Sequence, residues 1–350
     1  LLLVGLIAWL VIVYRAVGYH IKLKHNDEFT SLIWFYLFSA ILVVAFFGFG
    51  LFYGKGSHLT LADYWRWFVV HIWVESVFEF FGVAIISLLL VAMGLATARA
   101  ALTVAYFTAA ITFLSGIIGT AHHYFWYGGP SFWIGWGSIF SSMEPVPLLG
   151  LVVRGLMEYK SIRKEGEEFP YKWPLYFLVA ASFWNFFGAG VFGFLINLPI
   201  VNYYEHGTYL TMNHGHTALF GTYGMLSIAL LLFSWRGLVD RAHWRDGVLK
   251  LSFFGLNVGL ILMSLGTLLP VGAMQAWTSF TEGLWVARSA SFFAREAVVV
   301  LGNLRVIPDL IIILLGVIPL AYFLFTTYPR LKAVEIKEGE SVWERLGIEL

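Results

Sequence analysis

Apolar stretches of about 20 residues recur along this chain, and they leave it few ways to fold. A helix of that length crosses the hydrocarbon core of a bilayer. In hydrocarbon every backbone N–H and C=O needs a partner within the protein, which restricts spanning structures to helices and closed barrels. Barrel strands need about ten residues of alternating polarity, and these runs are longer and apolar throughout. The sequence therefore predicts an all-α, polytopic transmembrane helical bundle. Composition agrees: 59% of residues are hydrophobic and 12% charged, roughly half the charge of a soluble domain.

About nine spans are predicted, near 1–14, 32–53, 65–98, 100–121, 131–157, 173–199, 214–235, 249–275 and 307–328. The run at 65–98 is long enough to tilt or to leave the bilayer. Residues 1–329 read as one transmembrane catalytic domain and 330–350 as a C-terminal tail. Because Leu1 begins inside an apolar run, without an initiator Met, the chain reads as the C-terminal part of something longer.

Lys and Arg crowd alternate connections. The stretches 15–31, Arg99, 154–172, 236–250 and the tail hold most of them, whereas the opposite side holds Lys55, Arg66, Arg288, Arg295 and Arg305. The positive-inside rule makes the first set and the C-terminus cytoplasmic, as expected for a multi-pass protein of a cell membrane. A net charge of +1 gives no reason to expect nucleic acid. With no cysteine, any metal must be held by His and carboxylate.

Histidines mark the chemistry. Asn213-His214-Gly215-His216 opens one apolar run. On a helix, residues two apart point about 200° apart, so these two imidazoles serve two sites on opposite sides. His71 and Glu75, four apart, share one helix face, and His122 and His123 are adjacent at a helix end. All five histidines fall at one depth, in the outer half of the membrane. A three-histidine, one-carboxylate set suits iron or zinc, and the carboxylate favours iron for redox work. Glu79, one turn beyond Glu75, and Glu144, beside Pro145 and Pro147, suggest proton delivery. Trp and Tyr near span ends, such as Tyr64-Trp65-Arg66-Trp67, are expected as interfacial anchors.

His71-Ile-Trp-Val-Glu75, Gly119-Thr-Ala-His122-His123-Tyr-Phe-Trp-Tyr127, Met143-Glu144-Pro-Val-Pro147 and Asn213-His-Gly-His216-Thr-Ala-Leu-Phe-Gly221 together resemble the catalytic subunit of nitric oxide reductases, in the haem–copper oxidase superfamily. Asn213 and Gly283-Leu-Trp-Val-Ala-Arg-Ser289 are more like the quinol-dependent branch than the cytochrome-c-dependent one. The resemblance implies a bacterial or archaeal cytoplasmic membrane protein reducing two nitric oxide molecules to nitrous oxide and water, with electrons from a quinol. It implies a high-spin haem b on His214 and a low-spin haem b on His216. A non-haem iron, for which zinc can substitute in a preparation, would be held by His71, Glu75, His122 and His123, facing the high-spin haem. Glu79 and Glu144 match the family's acidic residues beside the site. A second ligand for the low-spin haem is expected upstream of Leu1, because His20 and His25 fall on the cytoplasmic side; His206 is expected at the surface or near propionates. Rival readings are an oxygen-reducing haem–copper terminal oxidase, a cytochrome-c-dependent nitric oxide reductase, and a catalytically silent haem or gas-sensing protein. The first needs copper and a redox tyrosine, for which Tyr124 and Tyr127 are the candidates, since the position one turn after His71 is Glu75.

Overall fold

A computed structural model describes residues 1–22, 27–125, 127–141, 146–164 and 169–331. His25, Trp126, Glu144 and Pro145, the acidic stretch Glu165–Glu168 and the tail from Lys332 lie outside the described residues. Among the described residues every regular element is helical. The chain runs through α1 (Leu2–Lys22), α2 (Glu28–Phe52), α3 (Leu59–Ala92), α4 (Ala98–His123), α5 (Phe132–Ser141), α6 (Val146–Lys164), α7 (Lys172–Asn197), α8 (Pro199–Glu205), α9 (Tyr209–Leu238), α10 (Asp246–Thr281) and α11 (Glu296–Arg330).

Seven of these, α2, α3, α4, α7, α9, α10 and α11, are long and apolar enough to cross a membrane; Leu2–Gly18 within α1 is a shorter apolar stretch. The expected span at 131–157 is divided between α5 and α6, on either side of residues 142–145. Several helices overrun the apolar runs that announced them. α11 starts at Glu296 rather than near 307, because caps and backbone bonding set a helix end while hydropathy marks only its apolar portion. Local chemistry supplies the ends. Asp27 accepts from Thr30 N–H at 2.6 Å, Thr97 from Ala100 N–H at 3.2 Å and Thr208 from Leu210 N–H at 3.2 Å. Gly94, at φ 72°, closes α3 in the left-handed conformation that glycine adopts without a Cβ clash.

Polar side chains turn inward: Ser39, Ser87, Thr108, Thr112, Ser252 and Thr267 are buried, whereas Phe107, Leu114, Leu304 and Phe325 are exposed. Water would oppose that arrangement, and a hydrocarbon surround permits it.

The chain divides into two compact units. The first is built around Leu1–Phe169 and the second begins at Pro170. In the first, α2, α3 and α4 pack on one another, and α5 packs against α4 and its His122–His123 end. In the second, α7 packs on α9 and α10 on α11. Gly255 of α10 meets the Leu315–Gly316 backbone of α11 so closely that an added Cβ would lie 2.3 Å from Leu315 C, a small-residue crossing of the kind membrane helices favour.

Candidate metal centre and haem ligands

The first unit gathers His71, Glu75, His122 and His123, and one ligand atom from each lies within 4.8 Å of all the others. His71 and Glu75 sit on a π-helical stretch of α3, Val69–Val77, a local widening frequent at functional sites. His122 and His123 end α4 in a tight 3-10 turn, Thr120–His123. The two rings nonetheless lie together there, with centroids 4.0 Å apart. Gly119 makes room for His71: an added Cβ would lie 3.0 Å from His71 Nε2.

His71 Nδ1 is 3.0 Å from Glu75 Oε2 and 3.1 Å from His122 Nε2. His122 Nε2 is 3.7 Å from Glu75 Oε2, and His123 Nε2 is 3.4 Å from Glu75 Oε1. Donors bonded to one first-row cation at about 2.1 Å stand about 3.4 Å apart in a tetrahedron, so these spacings fit a shared metal ion. Three neutral imidazoles and one carboxylate also carry a single negative charge to offset it. His71 and His122 are buried, and the Ser141 hydroxyl stands 3.5 Å from Glu75 Oε2. Glu79 is buried one turn further along α3.

Trp67 reads in the sequence as an interfacial anchor. Its indole also stacks on His123 while donating to Asp63 Oδ1 at 3.0 Å. Its place four residues before His71 is the signal that could have found it. Tyr124 stacks on Tyr64 and its hydroxyl donates to the Tyr64 carbonyl at 3.4 Å, while burial pushes the phenol's pKa up. His20 is a packed histidine: its Nε2 is 3.2 Å from Thr30 Oγ1 and its ring meets Phe29 edge-on.

In the second unit His214 and His216 lie on α9. Carbonyl oxygen can only accept, so His214 Nδ1–H donates to Gly188 O at 2.8 Å and His216 Nδ1–H donates to Met212 O at 2.8 Å. Each Nε2 therefore carries the lone pair that iron requires. The two rings face different neighbours: His214 lies against Gly188 and Gly193 of α7, and His216 Nε2 reaches Arg305 of α11 at 3.3 Å. That the two rings meet different helices is in keeping with the angular expectation for residues two apart. Gly188 lets α7 approach α9 closely, since an added Cβ would lie 2.5 Å from Thr217 C. His206 is half-buried; its Nδ1 lies 3.1 Å from Asn202 Oδ1 and its carbonyl accepts from Arg288.

The sequence profile of the family described as cytochrome c and quinol oxidase polypeptide I matches residues 1–324. The chain belongs to this family of haem–copper oxidases. A relative within reach of direct comparison is a nitric oxide reductase chain of Stutzerimonas stutzeri, 33% identical over 225 residues, covering 63% of this chain and 47% of that protein. The chain thus spans about half the length of the curated relative it matches. Membership accounts for the multi-pass helical fold, and the donor geometry described above could hold a metal and haem iron.

Proposed function

We propose that this chain is catalytic machinery of a membrane nitric oxide reductase, converting two nitric oxide molecules, two electrons and two protons to nitrous oxide and water. Glu75 carries this reading: a carboxylate joins three imidazoles, and that donor set suits iron. The likeness to the Stutzerimonas stutzeri nitric oxide reductase chain supports it. His71, Glu75, His122 and His123 would hold a non-haem iron, a site that zinc can also fill. His214 would carry a high-spin haem b and His216 a low-spin haem b, each through Nε2. When bound, the irons would supply electron transfer and Lewis acidity.

The protein's own groups set the conditions. Bonds from Nδ1 to Gly188 O and Met212 O hold the two α9 imidazoles in one tautomer and one orientation. Glu79, buried beside the ligand helix turn, holds and passes a proton; Glu144, outside the described residues, is assigned the same role from its sequence position. Nitric oxide is uncharged and lipid-soluble, so apolar lipid-facing helices admit it laterally. The excess of Lys and Arg on alternate connections supports assigning the site to the outer half of the membrane and the C-terminus to the cytoplasm. A quinol is the proposed donor, with cytochrome c the alternative.

The test is nitrous oxide formation by the complete protein, with quinol and reduced cytochrome c supplied side by side. Nitrous oxide with quinol supports the whole reading. Oxygen consumption without nitrous oxide, despite full haem and metal, contradicts it.

A further inference from the structure

Arg305 is a cation inside a membrane-spanning helix, and such residues mark function unless a partner neutralises them. Its partner is partial: Arg305 Nε lies 3.7 Å from Asp309 Oδ2, one turn on, with both side chains in part exposed. Its other neighbour is His216 Nε2, at 3.3 Å. Since His216 Nδ1 carries the proton donated to Met212 O, Nε2 accepts from the guanidinium.

A lone pair on Nε2 serves one partner at a time. Iron bonded there takes the guanidinium's place on that atom. It does not remove Arg305, whose backbone is fixed in α11, packed in turn on α10. A guanidinium that stands 3.3 Å from His216 Nε2 would leave its positive charge close to a haem held on that atom.

We propose that Arg305 is a tuning residue for the haem on His216, its positive charge raising that haem's reduction potential. The proposal rests on the reading of His216 as a haem ligand. The step concerned is transfer of one quinol-derived electron that takes ferric haem to ferrous haem, with no bond made or broken. A cation beside the haem stabilises the state with the added electron. Asp309 opposes it with a carboxylate placed against the same guanidinium.

Spectroelectrochemical titration of the complete, haem-loaded protein tests the proposal, following the low-spin and high-spin haems separately. Arg305→Gln lowers the low-spin midpoint, Arg305→Lys retains most of it, and Asp309→Asn raises it, while the high-spin midpoint stays put. A low-spin midpoint unmoved in Arg305→Gln overturns the proposal, as does an equal fall in Arg305→Lys and Arg305→Gln. Should Arg305→Gln fail to hold haem, the opposed shifts expected of Arg305→Lys and Asp309→Asn decide, and no rise in Asp309→Asn overturns it. Absence of a low-spin haem spectrum from the wild-type protein would defeat the His216 reading itself. Its presence with unmoved potentials defeats the tuning role alone.

Discussion

The indole of Trp67 lies flat on the imidazole of His123, with centroids 4.6 Å apart and planes 3° apart. Asp63 accepts from the same indole N–H at 3.0 Å, so the ring that supports His123 is itself held from the preceding turn of α3. An imidazole free to rotate would spend part of its time off the metal. Trp67 restrains the ring that the proposed function assigns to a metal, without itself offering a donor atom.

Replacing Trp67 with Leu is therefore expected to weaken metal binding about tenfold, the lower end of what lost support around a ligand costs. Chelator competition on the complete protein measures it, and haem content should not change. An unchanged dissociation constant would reduce Trp67 to an interfacial anchor.

Glu75→Gln tests the carboxylate directly. The amide keeps the shape and removes the negative charge that faces three imidazoles. Iron content should fall steeply and nitrous oxide formation with it. Full iron together with full activity would take Glu75 out of the ligand set.

Gly137 is where α5 meets the histidine turn. A Cβ there would lie 2.2 Å from His122 N and 2.7 Å from Ala121 C, both backbone atoms that cannot swing aside. Gly137→Ala is expected to cost about 1–3 kcal/mol through overpacking and to displace His122, with metal lost at temperatures where the fold persists. Gly135→Ala, whose Cβ would meet nothing within 4 Å, is the control.

Glu205, between α7 and α9, is buried and accepts from the Thr211 hydroxyl at 2.9 Å. Burial raises its pKa from 4.5 to about 7, with Thr211, Arg288 and Thr208 pulling it back in part. The folded state thus holds a proton that the unfolded chain releases. The resulting stability is complete below the unfolded value and fades as pH rises from about 4.5 through about 7, by up to about 3 kcal/mol. Glu205→Gln keeps an acceptor for Thr211 and should flatten this loss. Thermal midpoints in detergent at pH 5 and pH 8 should differ less in the variant than in wild type; equal differences would contradict the assignment.

Most of the candidate site is legible in the sequence because its signals are local. His71 and Glu75 are one turn apart, His122 and His123 are adjacent, and neither relation depends on distant packing. What the sequence conceals is shape and long-range approach. The π-helical widening at Val69–Val77 leaves no mark in residue spacing. Trp67 resembles any aromatic at a span end until His123, 56 positions later in sequence, is laid against it. Arg305 reads as an outer-side loop charge because the apolar run after it starts near 307, yet α11 has already begun at Glu296 and carries it to His216. Glu205 escapes notice altogether, since it belongs to no motif and only folding buries the carboxylate; Arg288 lies in the run Gly283–Ser289, but nothing in that run announces its approach to Glu205.

Metal and haem analysis of the complete purified protein bears on all of this at once. Two haems b and one further iron per chain, without copper, are expected. One copper per chain with no further iron would make the protein an oxygen reductase and leave Glu75 without its assigned role.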